Sequence, residues 1–180
     1  MAIPPEQGSG AKIFSLTNAA TICMHTDMHD DAQDMVRQLS TLWRANAGSV
    51  GTEEFNNIIE ANVAYFEGMA AARRGDFAKA RSAAETNARL VASQDNVRKM
   101  ENYHDLMGII FLREEKYDEA VEHYRQANLN AMYTKYHLAR ALEGAGKTDE
   151  AKALYREVAN WNFNSVGYAL VRKDAMARGG

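Results

Sequence analysis

Apolar residues recur at steps of three and four along most of the chain. Between residues 11 and 24, one helical face would collect Ile13, Leu16, Ala20 and Cys23. The same period returns between residues 31 and 45 and in seven later segments. Polar turns of two to six residues separate these segments. The pattern therefore predicts an all-α protein built from successive antiparallel helical hairpins.

Turn and capping residues set the boundaries of these hairpins. Thr52, followed by Glu53 and Glu54, is typical of a helix N-terminus, and Gly75 is typical of a C-terminus. We expect a flexible leader at 1–10 and a single helical domain at 11–180. Within it we predict a weak hairpin at 12–46, clear hairpins at 53–93, 97–128 and 131–159, and a capping helix at 165–178.

Composition agrees with this fold and argues against some classes of partner. Both prolines lie at the N-terminal end, as Pro4 and Pro5, and the one cysteine, Cys23, cannot form an intramolecular disulfide. The net charge of -3 and the lack of a long apolar stretch argue against nucleic-acid and membrane partners. We expect a cytoplasmic protein, or a periplasmic one if a signal peptide has been removed.

Small residues repeat twelve positions apart within the predicted hairpins. The pairs are Gly68 with Ala80, Gly108 with Ala120, and Ala139 with Ala151, and a fainter pair is Ala20 with Ala32. A small residue from each helix is needed where two antiparallel helices cross closely, and a fixed turn length fixes the separation. The repeat therefore predicts four hairpins with one crossing geometry.

The hairpins resemble tetratricopeptide repeats, arranged in an irregular array of the bacterial type. The resemblance rests on Met107-Gly108-x-x-Phe111 with Ala120-x3-Tyr124, and on Leu138-Ala139-x-x-Leu142 with Ala151-x3-Tyr155. It implies a short right-handed α-solenoid of stacked hairpins with a C-terminal capping helix. The family's opening tryptophan and closing proline are missing, and the repeats are unevenly spaced. We therefore expect an extended junction at 46–54 and longer helices around 87–100.

The resemblance also implies a function and a binding face. It implies a non-catalytic adaptor, without a cofactor, that binds a protein or peptide on its concave face, which the first helix of each hairpin lines. The corresponding residues here are Tyr65, Met69, Arg73, Asn102, Leu106, Ile109, Arg113, Tyr133, Tyr136, His137 and Arg140. Tyrosine supplies contact area and arginine pairs with carboxylates. Equally, the apolar members of this set could be buried against neighbouring helices.

Metal binding is the alternative function that the sequence suggests. The segment 23–35 is rich in Cys, Met, His and Asp, and Cys23, His25 and His29 could hold copper or zinc. The expected turn at 26–29 separates the two histidines, which weakens this hypothesis. A homo-oligomer through an uncovered first hairpin is also possible. Trp161 and Phe163 are expected to pack into the turn before the last helix.

Overall fold

The computed structural model describes the backbone of residues 5–180 and the side chains from Gly10 onward. That part of the chain contains nine α-helices and no β-strand, which confirms the all-α prediction. The helices are α1 (Pro5–His25), α2 (His29–Val50), α3 (Glu53–Arg74), α4 (Phe77–Val91), α5 (Glu101–Arg113), α6 (Tyr117–Tyr124), α7 (Met132–Gly144), α8 (Thr148–Ala159) and α9 (Val166–Gly179).

The capping residues act largely as the sequence predicts. The Thr52 hydroxyl accepts a hydrogen bond from the Phe55 amide (3.3 Å), and Ser165 caps α9 in the same way. Gly75 ends α3 at a φ of 89°, where a side chain would be strained. Favourable local geometry therefore fixes the start of α3 and α9 and the end of α3.

Three segments differ from the sequence-based expectation. Residues 5–10 of the expected leader belong to α1, and residues 1–4 of it lie outside the described part. The junction expected at 46–54 is mostly helical, because α2 continues to Val50. Instead of longer helices around 87–100, a non-helical connection joins α4, which ends at Val91, to α5, which begins at Glu101. Extra residues between repeats are therefore accommodated either by a longer helix or by a loop.

The first helices of the hairpins form a closed inner ring. Contacts link α1 to α3, α3 to α5, α5 to α7 and α7 to α9, and α9 in turn contacts α1. The second helices, α2, α4, α6 and α8, pack outside this ring. The helical solenoid is thus curved enough for its first and last inner helices to meet, and the side facing the superhelix axis becomes interior.

Close helix crossings depend on glycines that face aromatic rings. A methyl group on Gly108 would lie 2.8 Å from the ring of Tyr124, a fully buried side chain on the second helix of the same hairpin. Gly144 faces the ring of Tyr117 in the same manner. One continuous cluster of buried side chains extends from Ala20 in α1 to Ala175 in α9. The small residues therefore permit the approach that makes this main core, and a smaller cluster of Ala47, Ile59 and Val63 lies between α2 and α3.

The turn before α9 does not pack as expected. Trp161 is 41% exposed and Phe163 is 70% exposed, so the prediction that both wedge into this turn was wrong. The reason lies in Tyr168, which is buried and donates a hydrogen bond from its hydroxyl to the Trp161 carbonyl (2.6 Å). Tyr168, and not Trp161 or Phe163, is therefore the aromatic residue buried next to this turn.

Two glycine substitutions test this packing. Gly108→Ala should lower the free energy of unfolding by about 1–3 kcal/mol, because the added methyl overpacks against Tyr124. Gly48→Ala, in α2, has open space around its Cβ position and should raise it by about 0.5–1 kcal/mol. Urea denaturation of the two variants measures both changes. A stabilised Gly108→Ala protein would contradict the crossing described here.

Candidate binding site

Ring closure buries much of the face that the sequence predicts to bind a partner. Six of the eleven predicted residues are buried, two are partly exposed and three are exposed. The buried ones are Met69, Arg73, Leu106, Ile109, Tyr136 and His137; the partly exposed ones are Tyr65 and Tyr133; the exposed ones are Asn102, Arg113 and Arg140. An open concave groove containing all eleven was therefore a wrong expectation. Inner helices that meet around a ring bury the residues that point towards its axis.

A buried arginine occupies the centre of the ring. Arg73 is only 7% exposed, and its Nη2 donates to the hydroxyl of Tyr133 (2.9 Å) and to Nε2 of His137 (3.0 Å). Because Nε2 of His137 accepts, the ring proton is assigned to Nδ1. Burial and the Arg73 charge together hold the pKa of His137 well below its usual range. The pair is therefore one cation and one neutral imidazole.

A buried carboxyl group lies in the same interior. The Tyr65 hydroxyl donates to Oδ2 of Asp105 (2.6 Å), which joins α3 to α5. Burial raises the pKa of Asp105, and hydrogen bonds and the Arg73 charge partly offset that rise. Burial and the neighbouring carboxylate raise the pKa of Tyr65 well above its usual range. Asp105 was not among the predicted binding residues, although an acidic residue beside an apolar stretch was a usable signal.

The C-terminal end of α1 reaches across the ring to α7. His25 and Tyr133 share a hydrogen bond between Nδ1 and the hydroxyl (3.0 Å), and Met24 is buried beside them. Burial is the largest cause that lowers the pKa of His25, and the Arg73 charge adds to it. A small cavity of about 70 Å³ remains here, lined by Thr21, Met24, Tyr65, Phe66, Met69, Arg73 and Tyr133. The chain itself therefore fills this part of the ring.

The ring is open at the end where α3, α5 and α7 terminate. A cleft of about 440 Å³ lies there, which we call the arginine mouth; it is lined by Arg73, Ile109, Leu112, Arg113, Glu115, Tyr117, His137, Arg140, Glu143 and Gly144. Helix C-termini carry partial negative charge and favour arginine in the last turn. The Arg113 Nη2 accordingly donates to the backbone carbonyl of Arg73 (2.8 Å). Part of the positive charge therefore stabilises the helix ends.

Acidic neighbours neutralise the arginine mouth only in part. The Glu143 carboxylate accepts from Arg178 (2.8 Å) and from the Tyr155 hydroxyl (3.0 Å), whereas it stays 3.8 Å from Arg140. Asp27 lies 3.9 Å from Arg113. The exposed guanidinium groups of Arg113 and Arg140 therefore keep donor capacity for an external acceptor.

A second cleft lies on the outside of the ring between α2 and α3. Its volume is about 320 Å³, and it is also lined by arginines. These arginines are paired with carboxylates of the chain: Arg37 with Asp34, Arg44 with Glu60, and Arg74 with Asp30. This cleft thus offers less unpaired positive charge than the arginine mouth does.

The structure does not bring the predicted metal ligands together. A turn at 26–28 separates α1 from α2, so His25 and His29 do not share a helical face, and His25 is bound to Tyr133. Burial raises the pKa of the Cys23 thiol, which disfavours the metal-binding thiolate. Among the described side chains, no group of three or more His, Cys, Asp and Glu is placed to hold a metal ion. The metal hypothesis for segment 23–35 gains no support.

Comparison with known proteins identifies the repeat. Two models described as tetratricopeptide repeat match the chain, one over residues 61–86 and the other over residues 133–165. These ranges fall on the α3–α4 and α7–α8 hairpins, and the α5–α6 hairpin lies between them. Searches of curated proteins and of solved structures gave no match.

Fold and comparison together define the class. The molecule is a helical-repeat protein of stacked hairpins whose inner helices close into a ring. The chain contains tetratricopeptide repeats. Of the helices described for residues 5–180, none is long and apolar enough to cross a membrane.

The neutral buried histidine predicts acid sensitivity. A folded-state pKa below the unfolded value of about 6.5 means that the unfolded chain binds more protons as the pH falls. Stability should be greatest above that pH and should fall below it, by up to about 1.4 kcal/mol per pH unit for one such group. Urea denaturation at several values between about pH 5 and about pH 7.5 measures the slope of the free energy of unfolding against pH.

His137→Gln should reduce the slope, because it removes a group whose folded and unfolded pKa values differ. Asp105 acts with the opposite sign, since its pKa is raised in the fold, but it is present in both proteins. Equal slopes for the wild type and the variant would exclude His137 as a source of acid sensitivity.

Proposed function

We propose that the protein is a non-catalytic adaptor that binds a segment of another protein at the arginine mouth. Binding of a protein or peptide is inferred from the repeats, since tetratricopeptide repeats commonly bind proteins or peptides. The location and the chemistry of the contact are inferred from the cleft. The single observation that carries it is the accessible pair of arginines, Arg113 and Arg140, in the cleft where α3, α5 and α7 end.

The chemistry of the arginine mouth favours a segment that combines acidic and apolar side chains. Ile109, Leu112 and Tyr117 provide apolar lining, and Arg113 and Arg140 provide donors for carboxylates. The volume of about 440 Å³ lies within the roughly 300–1,000 Å³ of ordinary ligand pockets. It suits a few anchoring side chains better than a whole helix. We infer that a partner inserts a short acidic and apolar stretch and keeps the rest of its surface outside.

Closure of the ring changes how a partner reaches the predicted residues. Leu106, Ile109 and Tyr136 help to hold the ring together, so they contribute through stability. Arg73 and His137 line the inner wall of the mouth and orient its surface through their mutual hydrogen bond. Direct contact with a partner is left mainly to Arg113 and Arg140. Asn102, although exposed, is absent from the lining of this cleft.

Selection from a library of random peptides displayed on phage tests this function. The wild-type protein should enrich peptides that contain Asp or Glu next to an apolar residue. The Arg113→Glu, Arg140→Glu double variant should lose this enrichment, because two donors become two acceptors and repel the acidic side chain. Binding of a synthesised, enriched peptide should weaken by about tenfold or more, which fluorescence anisotropy measures.

Arg89→Glu is the control for reversing the charge of one exposed arginine outside the mouth. Arg89 is an exposed arginine in the last turn of α4, outside the ring, and is not part of the mouth. This variant should enrich the same peptides as the wild type. Enrichment of one peptide set by all three proteins, or of none by the wild type, would contradict binding at the arginine mouth.

The oligomeric state stays a prediction. Phe14 is 69% exposed and Ile22 is 40% exposed on α1, so the first hairpin retains an uncovered apolar face. We propose that a second copy of the chain can cover this face. Light scattering of the wild type and of Phe14→Lys measures the mass, and an unchanged monomer in both would remove the proposal. The proposed exclusion of nucleic acid and membrane as partners is supported by the net charge of -3.

A further inference from the structure

Two histidines face each other across the middle hairpin, away from the arginine mouth. His104 belongs to α5 and His123 to α6, and their Nδ1 atoms lie 3.1 Å apart. The ring centroids are separated by 5.2 Å and the ring planes are inclined at 41°. Neither residue lines the arginine mouth, and neither belongs to segment 23–35. The histidine pair is therefore separate from the arginine mouth and from the metal site predicted in segment 23–35.

The contact requires that at least one of the two Nδ1 atoms is unprotonated. One Nδ1 carries a proton and donates it, and the other Nδ1 accepts with its lone pair. Burial lowers the pKa of both histidines, and the His123 neighbour lowers that of His104 further. A metal ion binds to such a lone pair, which only an unprotonated ring nitrogen offers.

The distance between the two nitrogens matches a shared metal ion. Zinc lies about 2.0–2.1 Å from a histidine nitrogen, so two nitrogens 3.1 Å apart would subtend an angle of about 98° at the ion. That angle falls between the right angle of an octahedral site and the tetrahedral angle. The ion would sit beside the line that joins the nitrogens. To direct its lone pair towards the ion, each ring would turn by about 40° from the line that joins the nitrogens.

The surroundings hold the two rings in place and leave access for further ligands. Tyr103 contacts both rings edge-on, with centroids 5.1 Å from His104 and 5.9 Å from His123, and Phe111 lies 5.4 Å from His123. Both histidines are only partly buried, so water can complete the coordination shell. Glu119 is exposed one turn before His123 on α6 and supplies negative charge.

We propose that His104 and His123 form a two-histidine site for a divalent transition metal such as Zn²⁺, with water in the remaining positions. The described residues place no third His, Cys, Asp or Glu there, so the site is open and exchangeable. On binding, the donor ring moves its proton from Nδ1 to its own Nε2, and both Nδ1 lone pairs become ligands. No net proton is released at neutral pH. The ion links α5 to α6 and stabilises the folded chain by mass action.

Titration of the intact protein with Zn²⁺ tests this site. Long-range ¹H–¹⁵N spectra of the histidine rings distinguish Nδ1 from Nε2 and report which nitrogen is ligated. At about pH 7.5, we expect the Nδ1 resonances of His104 and His123 to shift together. We also expect thermal unfolding to move to a higher temperature. His104→Ala and His123→Ala should each weaken this binding by at least about tenfold, because each removes half of the protein ligands.

His29→Ala is the control, since it removes a histidine at the start of α2 and leaves the pair intact. It should bind Zn²⁺ as the wild type does. Circular dichroism confirms that the variants remain helical, and the ring spectra of the wild type do not depend on any variant. Zn²⁺ that leaves both Nδ1 resonances unchanged, or that binds equally well to a His104→Ala, His123→Ala double variant, would overturn the proposal.

Discussion

The contact between the first and the last inner helix is the constraint on which the rest of the structure depends. Hairpins that cross at small residues, such as Gly108 opposite Tyr124, approach closely and curve the array. Because α9 meets α1, the array has no open inner face. One core then serves all nine helices of the described chain, which offsets the weak packing that uneven repeats would otherwise leave.

Closure also explains the polar interior. The inner helices carry polar and charged side chains towards the interior of the ring, where several of them form hydrogen bonds with one another. Arg73 is bound by Tyr133 and His137, and Asp105 is bound by Tyr65. A buried cation is costly unless it is hydrogen-bonded, so the network holds α3 and α7 in register. The side chains left for a partner are those at the open end, Arg113 and Arg140.

Much of the fold could be predicted from the sequence, because helix period, caps and small-residue spacing are local signals. Thr52 and Gly75 mark the ends of α3, and the Gly108–Ala120 pair marks a crossing. Ring closure could not be predicted, since it depends on the sum of small rotations between hairpins. For that reason Leu106 and Tyr136 were assigned to an accessible face, although they are buried. The exposure of Trp161, beside the buried Tyr168, was likewise not predicted.

The most direct test of ring closure is a nuclear Overhauser measurement between the aromatic rings of His25 in α1 and Tyr133 in α7. Their centroids lie 5.7 Å apart and the side chains share a hydrogen bond, so ring protons of the two residues should give a cross-peak. The Tyr133–His137 pair within α7, with centroids 4.6 Å apart, provides an internal reference. A closed ring predicts both cross-peaks. The reference peak without the His25–Tyr133 peak would mean that α1 lies elsewhere and that the inner face is open.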